Sequence, residues 1–160
     1  MATKSLSVVA QRRIQSELNE WLRNPPEGCC LESYEPMTSW VIIMQGPEGH
    51  GRLYADEVFR IRIDFTENYP LDPPDVVFIP PVPIHPHIYS NGHICLDILY
   101  SGHNGGWSPA LTMSKVVLSL RSMLASATEK KKPPGDAEYS LRVGNRSPKL
   151  SKWVFEDDKV

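Results

Sequence analysis

The chain has 160 residues, 41% of them hydrophobic and 22% charged, enough for one domain with a real core. A formal net charge of -2 argues against a general nucleic-acid or membrane-surface binder, and no apolar run approaches the length of a membrane span. The first residues lack the sections of a signal peptide, so an intracellular protein is expected. Cys29, Cys30 and Cys95 are an odd set with an adjacent pair, a poor disulfide framework. In a reducing compartment all three are expected as free thiols.

Residues 6–23 predict a helix. Ile14, Leu18, Trp21 and Leu22 recur at helical spacing, with Arg12, Arg13, Glu17 and Glu20 on other faces. Asn24-Pro25-Pro26 ends it, because proline disfavours helical geometry in the residue before it. Four strand candidates follow. The first, near 29–34, has a weak pattern, and Cys29 and Cys30 at its start read as buried, inert thiols. Residues 39–45 form the second, and 46–51 a turn rich in glycine and proline. Residues 58–65 alternate Val58, Arg60, Arg62 and Asp64 with Phe59, Ile61, Ile63 and Phe65, the pattern of a half-buried strand. Residues 75–79 are the fourth. Strands joined by short turns predict an antiparallel meander.

Three prolines in Tyr69-Pro70-Leu71-Asp72-Pro73-Pro74 fix backbone angles and remove donors, so this loop is expected to project rigidly. Pro80, Pro81, Pro83 and Pro86 keep the next stretch extended. Residues 112–127 predict a second helix, with Met113, Val116, Val117, Leu120 and Leu124 as its apolar face. Residues 6–128 therefore read as a core. Residues 129–160 open with Glu-Lys-Lys-Lys-Pro-Pro-Gly, hold few aliphatic residues and predict a poorly packed tail. Trp153, Val154 and Phe155 are its candidates for docking.

Residues 85–97 read His-Pro-His-Ile-Tyr-Ser-Asn-Gly-His-Ile-Cys-Leu-Asp. Three readings stay open. One is a structural turn: Asn91-Gly92 is a strong turn signal and cysteine is often core. Another is a metal site. His85, His87, His93 and Cys95 are zinc ligands by type, but the chain has no paired C-x-x-C knuckle and Pro86 limits convergence. The third is nucleophilic catalysis. A thiolate attacks carbonyls well and leaves well, so it can hold an acyl group as a thioester. A cysteine hydrolase would need a histidine base, and His93 shares a face with Cys95 in an extended segment. A thioester carrier needs less: an accessible thiol, an oxyanion donor and a path for an amine.

Five markers occur in order: Arg12-Arg13-Ile14 and Glu17-Leu18 ending at Asn24-Pro25-Pro26; Tyr69-Pro70 with Pro73-Pro74; His85-Pro86; Ser90-Asn91-Gly92 leading to Ile94-Cys95-Leu96-Asp97; and Trp107-Ser108-Pro109-Ala110-Leu111. With these, the chain from about Val9 to Ala127 resembles the ubiquitin-conjugating (E2) enzymes. The resemblance implies the α+β UBC fold: an N-terminal helix, a four-stranded antiparallel meander, a cysteine loop and a long helix. It implies that Cys95 accepts the C-terminal glycyl group of ubiquitin from an activating enzyme (E1) as a thioester. A substrate amine then attacks, guided by a ligase (E3). No bound cofactor is implied; ATP is used by the upstream activating enzyme. Arg12 and Arg13 would meet E1. Leu71, Pro109 and Ala110 would form an apolar ledge for RING or U-box ligases. The implied partners are ubiquitin, E1, E3 and protein substrates in the cytoplasm or nucleus, with no nucleic acid and no membrane. Asp97 would orient the incoming amine or cap the following turn. The alternatives are a carrier of a ubiquitin-like modifier, a lysine-directed E2, an inactive ubiquitin-binding module, and a hydrolase using Cys95 and His93.

Two positions depart from the family pattern. The usual His-Pro-Asn is His85-Pro86-His87 here. Imidazole can donate where the amide would, or His87 can simply tie the loop together. After the second helix, where many members carry an acidic or hydroxyl residue, this chain has Thr128-Glu129-Lys130-Lys131-Lys132. Lysines there would repel an incoming ammonium. A lysine side chain has a pKa of about 10.4 and an α-amine about 7.7–8.0, so at neutral pH the α-amine is deprotonated roughly a few hundred times more often. Both departures most resemble the W-type branch, which is associated with attaching single ubiquitins to N-terminal α-amines. The glycine-rich stretch 101–106 is expected as a flap near the cysteine.

Overall fold

In the computed structural model, which describes residues 5–155, Ser7 starts the first helix. Its hydroxyl accepts from the Ala10 N–H at 3.0 Å, satisfying one of the orphan donors of the first turn. Helix α1 (Val8–Arg23) buries Ala10, Ile14, Leu18 and Trp21 on one face. Strands β1 (Cys29–Ser33), β2 (Ser39–Gln45), β3 (Val58–Asp64) and β4 (Asp75–Ile79) form one antiparallel sheet in chain order. The pairings Trp40–Ile63, Ile42–Ile61, Met44–Phe59, Ile61–Phe78 and Ile63–Val76 put one continuous apolar face inward. Arg60 and Arg62 alternate outward and are exposed, as a period of two requires. Helix α2 (Met113–Ala125) is capped by Thr112 and joins α1 and the inner sheet face in a single core. The α+β arrangement is the one the sequence predicts.

Glu17 knots this frame together. Buried on α1, it accepts from the Met113 N–H at 2.6 Å, from Arg13 Nε at 2.9 Å and from the Tyr69 hydroxyl. Its charge therefore sits at the amino end of α2, where the helix dipole favours an anion. Burial, then the Glu17 charge, push the Tyr69 hydroxyl well above the usual phenol range.

Two expectations need correction. Cys29 is buried, but Cys30 is exposed, because neighbours on a strand face opposite ways. The larger correction concerns the expected loose tail. Of residues 129–160, 156–160 lie outside the described residues. Within the rest, helix α3 (Asp136–Val143) and a 3-10 turn (Pro148–Leu150) pack on the cysteine loop and on β4. The cause is tertiary. Asp136 accepts from the Ser90 N–H at 2.6 Å and from its hydroxyl, and Asn91 Nδ2 donates to the Gly144 carbonyl at 3.0 Å. Ser147 donates to Asp75 at 3.0 Å, and Lys149 donates to the Pro73 carbonyl. Trp153 stacks on Tyr100 with ring centroids 5.2 Å apart.

Candidate active site

The cysteine is placed by a short folded-back segment. Ile88 pairs with Ile94 in an antiparallel bridge, and the Cys95 N–H donates to the His87 carbonyl at 2.8 Å. Gly92, with φ +90, makes the turn between them. A Cβ there would lie 2.1 Å from the Phe78 carbonyl oxygen, so no other residue fits without moving β4. His85 anchors the segment from below. It is 1% exposed, its Nδ1 accepts from the His87 N–H at 3.0 Å, and its Nε2 lies 3.2 Å from the Met123 carbonyl. These partners require the neutral tautomer protonated on Nε2. Burial, and next the His87 imidazole, pull its pKa down to about 4.

Cys95 itself is half-buried, and its Sγ points to the Val154 carbonyl at 3.6 Å. Burial, with a contribution from Asp97, pushes the thiol up to about 11. The resting sulfur is therefore protonated. His93, the candidate base for a hydrolase, is 2% exposed. Its Nδ1 meets the Tyr139 hydroxyl at 2.7 Å, and burial lowers its pKa. The Cys95–His93 hydrolase pairing is therefore not formed. Nor do His85, His87, His93 and Cys95 converge: among the described residues no group of three or more His, Cys, Asp or Glu is placed to hold a metal ion.

A cleft of about 700 Å³ opens beside Cys95. Tyr89, Tyr139 and Trp153 form its aromatic wall, with Tyr89 and Tyr139 centroids 4.2 Å apart. Its charged lining is Arg142, Arg146 and Lys152 against Glu138. The lysines after α2 are elsewhere: Lys130 pairs with Glu57 at 2.7 Å, and Lys132 lies 3.9 Å from Asp136. The basic character beside the thiol thus comes from α3 and the chain beyond it, not from the run the sequence singles out. Asp136 does not act as a free base. Burial opposes its charge, but hydrogen bonds from Ser90 and Ser140 and the Lys132 ammonium outweigh that and hold its carboxyl below the usual range. Spacing alone could not reveal these contacts; the signal in the sequence was the apolar run Trp153, Val154 and Phe155.

The other expected residues fall at three places. Asp97 is exposed and opens a 3-10 turn (Asp97–Leu99) after the cysteine. Its carbonyl accepts from Gly106 N–H at 2.9 Å, which ties down the glycine-rich loop expected as a flap. Leu71 is 71% exposed, and Pro109 and Ala110 are exposed on the neighbouring loop. Trp107 Nε1 donates to the Pro70 carbonyl at 3.0 Å and holds the two loops together. Arg12 is exposed on α1, whereas Arg13 turns inward to Glu17 and to the Leu111 carbonyl at 3.0 Å. Among the described residues no helix is long and apolar enough to cross a membrane.

A family model described as ubiquitin-conjugating enzyme matches residues 13–154, so it spans the core, the cysteine loop and α3. The chain is 47% identical over 158 residues to a probable ubiquitin-conjugating enzyme E2 16 of Arabidopsis thaliana, covering 98% of this chain and 94% of that protein. It is 48% identical over 149 residues to a probable ubiquitin-conjugating enzyme E2 W of Dictyostelium discoideum, covering 93% and 96%. The crystal structure of ubiquitin conjugating enzyme E2 UbcA1 from Agrocybe aegerita matches with a TM-score of 0.79 at 33% identity, covering 89% of this chain and 100% of that one. The chain belongs to the ubiquitin-conjugating (E2) enzymes, a family that works with ubiquitin between an activating enzyme and a ligase and typically needs no bound cofactor.

Proposed function

We propose that Cys95 carries ubiquitin as a thioester and passes it to the N-terminal α-amine of a protein substrate in preference to a lysine side chain. The observation that carries the reading is the cleft beside Cys95, where Arg142, Arg146 and Lys152 outnumber Glu138. An ammonium is repelled from such a lining, so the amine must arrive neutral. At pH 7 an α-amine does so roughly a few hundred times more often than a lysine.

In the transfer step the neutral nitrogen attacks the glycyl carbonyl carbon. A C–N bond forms, the C–S bond breaks, and the sulfur leaves with the electron pair. The surplus proton on nitrogen ends on the sulfur, whose pKa of about 11 makes the departing thiolate a competent base. The returned thiol regains its hydrogen bond to the Val154 carbonyl. His87 stands at the family's asparagine position, and its ring N–H takes the role of oxyanion donor. Asp97 orients the amine from the exposed side. Arg12 contacts E1, with Arg13 shaping the surface beneath it. Leu71, Pro109 and Ala110 form the seat for a RING or U-box ligase.

The test is a chase. The enzyme is loaded with ubiquitin by E1 and ATP, loading is stopped, and discharge is followed with Nα-acetyl-lysine or with a lysine-free peptide bearing a free α-amine. Faster discharge to the peptide is expected. Faster discharge to Nα-acetyl-lysine contradicts the proposal.

A further inference from the structure

The cleft also faces chain that must follow the acceptor nitrogen. An amine at Cys95 brings the first residues of its own polypeptide with it, and about 700 Å³ lies within the range of roughly 300–1,000 Å³ that seats a small ligand. We infer that the cleft binds those first residues and selects acidic N-terminal segments, with carboxylate side chains just after the acceptor α-amine. The inference rests on the α-amine reading and names its substrate class.

The argument is one of charge and availability. Arg146 is occupied at the carboxyl end of α3, where Nε donates to the Val143 carbonyl at 3.2 Å and the guanidinium also bonds the Arg142 carbonyl. Arg142 and Lys152 are exposed, and neither takes part in an ion pair among the described residues. They come from two separate pieces of chain, α3 and the segment after Leu150, which meet beside Cys95 through the contacts of Tyr139 with Ser151 and Trp153. Arg142 lies over the Tyr139 ring, its carbon Cζ 5.9 Å from the centroid, which braces the guanidinium at the cleft. Tyr89, Tyr139 and Trp153, packed at tilted angles to one another, supply a neutral aromatic wall for the incoming chain. Carboxylates on the incoming segment would complete this arrangement, and basic side chains would meet the same repulsion as an ammonium.

The test uses the loaded full-length enzyme and three acceptors: a lysine-free peptide with glutamate at positions 2–4, its counterpart with arginine there, and Nα-acetyl-lysine. Rates are normalised to the loaded fraction. The acidic peptide should discharge the thioester about fivefold faster than the basic one, the scale expected of two exposed ion pairs. Added salt should shrink that ratio. Arg142→Glu with Lys152→Glu should reverse it, and Arg142→Gln with Lys152→Gln should flatten it. Equal rates for the two peptides, or a ratio unchanged in both double variants, overturn the inference. If the double variants fail to accept ubiquitin at all, the cleft serves the loading step, and the inference also falls. Nα-acetyl-lysine outpacing both peptides overturns the α-amine reading instead, whatever the ratio between the peptides.

Discussion

Lowering the pH from 7 to 5 should cost this fold about 2 kcal/mol through His85 alone. In the native state both ring nitrogens are committed. Nδ1 accepts from the His87 N–H and Nε2 faces the Met123 carbonyl. A second proton would set Nδ1–H against the His87 N–H, inside a site that is 1% exposed. The native pKa is therefore lowered from 6.5 to about 4. Between those values the unfolded chain binds a proton that the fold excludes, so stability falls as the pH falls across that window. At pH 5 the unfolded histidine is almost fully protonated and the native one about a tenth protonated, which gives about 2 kcal/mol by linkage. The buried His93, also lowered, adds in the same direction. Urea unfolding followed by tryptophan fluorescence at pH 7 and pH 5 measures the loss. His85→Gln keeps a donor and an acceptor but cannot titrate. It should be less stable at pH 7, and its loss on going to pH 5 should be smaller by about 2 kcal/mol. Equal losses in the two proteins would refute the assignment of His85 as a neutral anchor.

Glu17→Ala should destabilise the fold by about 3 kcal/mol in the same urea assay, because it strands Arg13 and the Tyr69 hydroxyl in a buried network. Trp153→Ala removes ring contacts to Tyr100, Tyr89 and Tyr139, each worth about 0.5–1.5 kcal/mol. In a Cys30→Ser background, which removes the exposed thiol, maleimide should then label Cys95 about tenfold faster as the tail opens more often. Leu71→Glu should leave E1-dependent loading intact and sharply lower ligase-stimulated discharge. Loss of loading would show that Leu71 acts elsewhere.

The helices and strands were legible because each carries its own period and its own stop. Val58 to Phe65 alternates without a break, and its inward set is the set that meets Trp40, Ile42, Met44, Val76 and Phe78. The caps Ser7 and Thr112 come from the structure, since the ranges 6–23 and 112–127 place both residues inside the helices. Helix α3 has no such period. Eight residues between Gly135 and Gly144 are too few to be helical alone. They are ordered by Ser90 and Asn91, some fifty positions earlier. The same distance hid the environment of His93, whose Nδ1 meets the hydroxyl of Tyr139 from the tail. It also misdirected the charge argument. Lys130 to Lys132 look decisive on the page but pair with Glu57 and Asp136 or with their own neighbour Glu129, while Arg142 and Lys152 reach the thiol's cleft unannounced.

The central claim is that the Cys95 sulfur carries ubiquitin. Incubation with ubiquitin, E1 and ATP, read on gels with and without thiol reductant, tests it directly. The wild-type chain should gain one ubiquitin in a band that reductant removes. Cys95→Ala should show none, and Cys95→Ser should form an oxygen ester that resists reductant. A reductant-sensitive adduct that persists in Cys95→Ala, or no adduct on the wild-type chain, would contradict the account.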